Sequence, residues 1–450
     1  MRRRDLVVGA LIAIVCALVL TTPIADRLQG LGIDTLYRLR DAVLPARYGP
    51  AESNVAIVAI DEESYQTPPF RGTPKVLWTK DIATVLQALL DAGVTVIGFD
   101  IVFPTSVESQ LRGFDRDMRQ TLWKGAKQKK IVLGMIQHRE KPILPHDGYR
   151  RAVGLGKNLT ALNVITDPDG INRRVPLFFQ RSAPQEGLLP SMSLEMASRH
   201  LGKRPVVEKD GRVYLNGVPV PGRPDPEIRV PGTTVPLRNN IPVLYERKLS
   251  GIPTFSIADL LACAAAGDTA FLQKHFSGKA VMFGTVLDVE DRKLTSVRFS
   301  ARSREDIHTP RCRLPVSQTV HTEFERETIP GIYMQASAIQ NFIRGQILRE
   351  IERLPQFLIT LAGAILAAVL TLAAGPIFAV SVLVAGIALW TATAVFAFST
   401  DLILPLFPPP VAAGATFAAL LGYRFAVADR MGRRIRHAFG HYLAPAVVDQ

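Results

Sequence analysis

The sequence predicts a mixed α/β domain on the extracytoplasmic side, joined to an all-α membrane region of one N-terminal and three C-terminal transmembrane helices. Three observations lead there. Long apolar runs occur only near the two ends of the 450-residue chain, and the arginines flanking them fall on one side. The stretch between opens with two β-branched runs separated by an amphipathic one. With 48% hydrophobic and 21% charged residues, the two kinds are segregated into membrane and water-facing parts.

Residues 6–25 form the first apolar run, close to the roughly 20 residues that cross a bilayer core as a helix. Arg2, Arg3 and Arg4 resemble the start of a signal peptide, but the run is longer than an ordinary signal core and lacks a small-x-small site before Asp26. An uncleaved anchor is therefore expected. After Arg353 the composition changes again: residues 355–374 are apolar, Gly375 and Pro376 interrupt, and 377–398 are apolar. Thr400, Asp401 and the proline-rich stretch 405–410 break the pattern before 411–423 resume it, with 402–407 supplying the remaining length. A buried hairpin of a soluble protein would show polar residues at every turn, whereas 358–370 offer only Thr360.

Arg2 to Arg4 precede the first helix, and Arg424, Arg430, Arg433, Arg434 and Arg436 follow the last. The positive-inside rule puts both ends in the cytoplasm, and one span plus three returns the chain to its starting side. The expected division is thus 1–25 cytoplasmic tip and membrane helix, 26–353 outer domain, 354–424 three membrane helices, and 425–450 cytoplasmic linker. The net charge of +13 is scattered and gathers at membrane flanks, which fits a membrane-lipid partner and no nucleic acid.

In the outer segment, 54–61 (NVAIVAID) and 94–103 (VTVIGFDIVF) read as buried strands. Between them, Ile82, Val85, Leu86 and Leu89 recur at helical spacing over 79–92, with Gly93 as the stop. An amphipathic stretch at 108–127 and a strand-like 130–136 extend this strand-helix-strand unit toward a right-handed, mainly parallel sheet. Residues 145–253 are rich in proline and glycine, with short apolar runs at 213–215 and 218–220, and predict hairpins and long loops. A further strand at 279–284 and a helix at 331–342, after Pro330, close the domain as it opened.

Candidate chemistry is sparse. Ligands of open α/β sheets sit beyond the carboxyl ends of strands, where Asp61, Glu62 and Asp100 fall, so these acids are candidates for a ligand pocket. Helix caps and solvated strand ends are the plainer alternative. Asp288, Glu290 and Asp291 form a compact acidic group after a strand and, with Asp61 or Asp100, could hold a cation; a solvated loop is the commoner outcome. The candidate ligand set is Asp61, Glu62, Asp100, Asp288 and Asp291. Asp167, Asp169 and Gly170 resemble the start of a calcium loop, but Ile171, Asn172 and Phe178 occupy its fifth, sixth and twelfth positions, so turn chemistry is expected. The eight histidines lack zinc spacing, and no metal site is assigned. Nucleophile elbows, phosphate loops and HExxH are absent, so no catalytic residue is assigned. Cys16 lies in the first apolar run; a bond between Cys263 and Cys312 is left open.

Residues 26–353 resemble the type-two CHASE family of extracellular sensor domains. The resemblance is carried by Asp34 with Arg38 and Arg40, by 58–62, by Trp78 opening a helix, and by Gly98, Phe99 and Asp100. It continues in Asp169, Gly170 and Arg173, in Phe283 and Gly284 with Asp288 and Asp291, and in Pro330, Gly331 and Ile332. The chain departs from the family's usual His-Ala pair with Gln335 and Ala336, and lacks the Trp-Pro neighbour at Trp78. The resemblance implies three membrane helices after the domain and an outer ligand of unknown kind.

Residues 439–448 (FGHYLAPAVV) resemble the lead-in to class III nucleotide cyclase domains. That implies the receptor portion of a bacterial inner-membrane adenylate or guanylate cyclase, whose catalytic aspartates would lie beyond Gln450. No cofactor is expected for these residues, with Mg and ATP serving the downstream domain. The alternatives are a non-enzymatic binding protein or transporter accessory, or a sensor with another output such as a kinase. Ala428, Met431, Ile435 and Ala438, spaced three, four and three, suggest a short coiled-coil seam that transmits the signal in a homodimer. A lone helix whose arginines neutralise anionic lipid is the alternative.

Overall fold

The computed structural model describes residues 3–138, 141–181, 187–246, 251–300, 310–315 and 328–439, the side chains of Ile24 and 428–439 excepted. The chain divides into two compact units, Tyr37–Arg349 and the pair of segments Met1–Leu36 and Glu350–Gln450.

The unit Tyr37–Arg349 is organised by six strands: β1 (Val55–Ile60), β2 (Val96–Phe99), β3 (Ile131–Met135), β4 (Leu159–Ala161), β5 (Thr254–Ser256) and β6 (Ala280–Thr285). Their order is β5-β1-β6-β2-β3-β4, and each neighbouring pair is parallel. The unbroken apolar runs of the sequence have a structural cause: both faces of the sheet are covered. Along β1, Ala56, Val58 and Ile60 pack into one core with Ile82, Val85, Leu86 and Leu89 of the helix Thr79–Asp91. The alternate residues Val55, Ile57 and Ala59 pack into another with Met192, Met196, Ile332 and Ile339. The result is helices on both sides of a central sheet.

Several boundaries follow from local chemistry. Gly93, at φ +87°, takes the left-handed position after the helix Thr79–Asp91. The amphipathic stretch expected from residue 108 becomes helical only over Arg116–Lys127, because Glu108 accepts hydrogen bonds from the backbone of Gly113 and Asp115 and holds 108–115 as a loop. Val213–Leu215 and Val218–Val220 form the expected antiparallel hairpin, turned by Asn216 and Gly217, both at positive φ. The helix Met192–Leu201 was not anticipated in the proline- and glycine-rich middle. Ser191 caps its start, Gly202 at φ +64° ends it, and Met196 lies so close to β2 that a side chain at Gly98 would collide with it.

In the second unit, three helices are long and apolar enough to cross a membrane: Arg353–Ala373, Pro376–Ser399 and the Pro408–Val427 part of Pro408–Phe439. The third corrects the expected segment 402–423. Residues 404–407 are not helical, since Pro405 and Pro408–Pro410 cannot continue a helix backwards, whereas proline is tolerated in a first turn. The missing length is regained toward Val427.

The N-terminal run forms the 17-residue helix Arg3–Val19, which stops short of residue 25. Thr21 and Thr22 turn their hydroxyls back onto helix carbonyls ahead of Pro23, and a second helix, Asp26–Val43, follows. On Arg3–Val19 the small residues Gly9, Ala13 and Ala17 are buried, while Leu11, Val15 and Leu18 are exposed. Gly9 sits so close to the third-last helix that a Cβ would lie 3.1 Å from Leu372.

Candidate functional site

Because β1, β6 and β2 run parallel, their carboxyl ends gather at one edge, and a cavity of about 730 Å³ opens there. Its wall includes Ile60 at the end of β1, Thr285 at the end of β6, Asp100 directly after β2, and Gly331 and Gln335 from the helix Gly331–Arg344. The volume lies within the range of small-molecule sites.

The start of Gly331–Arg344 is shaped for close approach. The Gly331 N–H donates to the Asp291 carbonyl at 2.8 Å, and any side chain at Gly331 would collide with the Asp291 carboxylate. Asp291 itself adopts φ +47°. At Gly284, a Cβ would lie 2.7 Å from Ile332 and 3.2 Å from the Cβ of Asp100, so the glycine lets Asp100 and the helix start share one corner.

Among the described residues, five ionisable side chains line the cavity: Lys75, Asp100, Glu290, Asp291 and Lys293. Four form pairs. Lys75 meets both oxygens of Glu290 at 2.6 and 2.7 Å, and Lys293 meets Asp291 at 2.8 Å. Burial works to lower the pKa of Lys75, but hydrogen bonds to Glu290 and Tyr65 together outweigh it, so its ammonium is held more firmly than usual. Asp100 has no hydrogen-bond donor to its carboxylate among the described residues. Burial first, and the Asp291 carboxylate second, push its pKa well above the ordinary range, against a smaller opposing pull from Lys293.

Gln335 is 3% exposed. Its Nε2 donates to the Leu162 carbonyl at 3.2 Å, which fixes the orientation of the amide, and its Oε1 is buried without a partner.

The five acids singled out in the sequence divide. Asp100 and Asp291 line the cavity. Asp61 caps the helix Glu62–Gln66, accepting from the Ser64 backbone at 2.9 Å and from the Ser256 hydroxyl at 3.0 Å. Burial raises its pKa, with the serine hydrogen bonds opposing. Glu62 accepts from the Asp288 backbone at 2.8 Å, and the Asp288 carboxylate lies 3.4 Å from Arg292. Sequence reasoning did not single out Lys75 or Lys293, and it named Gln335 only as a departure from the family's usual His-Ala pair. The sign for Gln335 was its place one helical turn after Gly331, on the same face.

Two other clusters are structural. Buried Arg173 binds Asp167 at 3.0 Å and Asp169 at 2.8 Å, and the Gly170 N–H closes the turn onto the Asp167 carbonyl at 2.9 Å with φ +84°. This is the turn chemistry expected there. Cys263 and Cys312 are joined as a disulfide. Beside it, buried Asp259 accepts backbone hydrogen bonds from Cys312, Arg313 and Leu314 at 2.8, 2.9 and 2.7 Å. Asp268 stands near both sulfurs, but bonded sulfurs are not thiolate ligands.

The architecture defines a class: an α/β domain with a cavity of ligand-binding size at its sheet edge, in a chain carrying three helices that suggest a membrane protein. The CHASE2 domain family profile matches residues 10–379, and the chain belongs to that family. CHASE2 is an extracellular sensor domain, consistent with a sensory role. Neither a curated protein nor a solved structure matches the chain.

Proposed function

We propose that this chain is the receptor portion of a bacterial inner-membrane class III nucleotide cyclase, and that an extracytoplasmic ligand in the sheet-edge cavity controls cyclic nucleotide synthesis in the cytoplasm. The observation that carries the reading is the cavity itself: a pocket of about 730 Å³ with one carboxyl that has no paired cation or hydrogen-bond donor among the described residues, in a family of extracellular sensors.

Other features support its parts. The Cys263–Cys312 disulfide suits an oxidising compartment outside the cytoplasm. The helix Arg3–Val19 buries small residues and turns large apolar ones outward, the reverse of a soluble helix and the pattern of one packed among others in lipid. It therefore serves as a fourth span, with both termini cytoplasmic by the arginine rule. The cyclase output rests on the lead-in motif at 439–448, of which 440–448 lie outside the described residues. The seam of Ala428, Met431, Ile435 and Ala438 falls on helical backbone, but those side chains also lie outside the described residues. Homodimerisation through that seam, and Mg and ATP for the attached domain, belong to the same proposal.

The test is to express the chain with its natural downstream sequence in a bacterial host that lacks its own cyclase. ATP-dependent cyclic nucleotide, altered by the cavity-filling substitution Val164→Trp, is the expected result. No cyclic nucleotide, or phosphotransfer to protein in its place, would overturn the output.

A further inference from the structure

Among the described residues, the cavity's charges and hydrogen-bonding groups are not balanced, and the imbalance has a definite sign. Glu290 is matched by Lys75 and Asp291 by Lys293. Asp100 is left as one acid without a paired cation or a donor among the described residues. The buried Oε1 of Gln335 is a second acceptor without a donor, and its orientation cannot simply be reversed, because Nε2 is needed at the Leu162 carbonyl. Asp100 touches the corner formed with Ile332 across Gly284, and Gln335 follows on the same helix. Both are therefore placed by the start of the helix Gly331–Arg344, and Ile60, Val76, Trp78 and Ile82 add apolar wall to the cavity.

We propose that the cavity binds a small organic monocation, a primary ammonium on an apolar body, whose N–H groups donate to the Asp100 carboxylate and to Gln335 Oε1. This rests on the cavity being the sensor's ligand site. An ammonium brings three donors and one positive charge, which matches two acceptors and one uncompensated acid. A carboxylate or phosphate would bring only acceptors to Gln335 Oε1 and a like charge to Asp100 once it ionises. A hydroxyl could donate to one of the two and would leave the charge unmatched. A divalent metal would have to displace Lys75 or Lys293 to gather further carboxylates.

The experiment uses the full chain in lipid nanodiscs, with binding measured by calorimetry. The probes are phenethylamine and isopentylamine, the alcohols of the same skeletons, phenylacetate, and magnesium chloride. At least one amine should bind saturably, at least about tenfold more tightly than its alcohol, since a charge-assisted hydrogen bond is the stronger kind. Phenylacetate and magnesium should show no binding that depends on Asp100. Asp100→Asn should abolish amine binding, and Gln335→Leu should weaken it by about tenfold. Equal binding of amine and alcohol, Asp100-dependent binding of magnesium, or no saturable binding of either amine would overturn the ligand class. If an alcohol or phenylacetate binds at least as tightly as the amine and Val164→Trp blocks it, the ligand class falls while the cavity remains the sensor site. If no probe binds and Val164→Trp also leaves cyclic nucleotide output unchanged, the sensor reading of the cavity fails with it.

Discussion

Tyr423 donates its hydroxyl to the Asp5 carboxylate at 3.0 Å and receives the Arg4 Nε at 3.2 Å, joining the first helix of the chain to the last. Residues 4 and 5 thus meet the end of the third apolar span, so both stand at the same face of the bilayer if each helix crosses it. Cysteines at positions 5 and 423 should crosslink with a short reagent in native membranes. A cysteine at Leu11, on the outward face, should not crosslink to position 423. Equal yields from the two pairs would remove the packing assigned to the N-terminal helix. Gly9→Ile should destabilise the detergent-solubilised protein by about 1–3 kcal/mol through overpacking against Leu372.

Asp100 predicts a pH-dependent stability. Its pKa is raised in the folded state, so the folded protein holds that proton longer than the unfolded chain, and stability falls as pH rises from about 3.9 toward the raised value. Asp100→Asn removes this loss. Without ligand, the variant should melt higher than the parent at neutral pH, and the gap should close below about pH 4. An ammonium ligand, which pairs with the ionised form, should bind the parent more tightly as pH rises through the same interval. A gap independent of pH would show that Asp100 is not the titrating group.

The disulfide encloses a separation of 49 residues. Replacing Cys263 and Cys312 together by serine should cost about 2–5 kcal/mol, read as a lower denaturation midpoint. Asp259→Ala should cost about as much as losing a buried charged hydrogen-bond partner, about 3–5 kcal/mol, because three backbone N–H groups of 312–314 lose their acceptor. A midpoint unchanged in both variants would mean that the 310–315 segment contributes nothing to stability.

Orientation is tested at exposed Lys209. Lys209→Cys in intact cells should react with a membrane-impermeant maleimide once the outer envelope is opened, whereas Arg3→Cys should react only after lysis. The reverse pattern would invert the proposed topology.

Much of the sheet was legible because its strands are buried on both faces. The runs around Val58 and Ile97 are apolar without alternation, and Gly93 marks where the intervening helix stops. The helix Met192–Leu201 was hidden because proline and glycine on either side dominate that region, although Ser191 and Gly202 were its caps. The third apolar span was displaced for a similar reason: Pro405 looked like an interruption within a span, while the prolines at 408–410 form its first turn. At the cavity, Asp100 and Asp291 could be reached from their places after strands. Gln335 was visible only as a departure from the family's His-Ala pair, because an uncharged residue on a helix acquires a site role only once the fold sets its amide against Leu162 and leaves its Oε1 without a partner.

The helix Pro408–Phe439 runs 32 residues without a break, about 48 Å at the usual rise. A rod of that length conveys angle as faithfully as distance. One inserted residue beyond Val427 turns everything that follows by about 100°, whereas seven bring it back to within about 20° of its starting azimuth. If the proposed output is coupled through this helix, torsional phase is a quantity it would hand from the bilayer onward, and insertions after Val427 are expected to be tolerated in steps of the heptad rather than of the single residue.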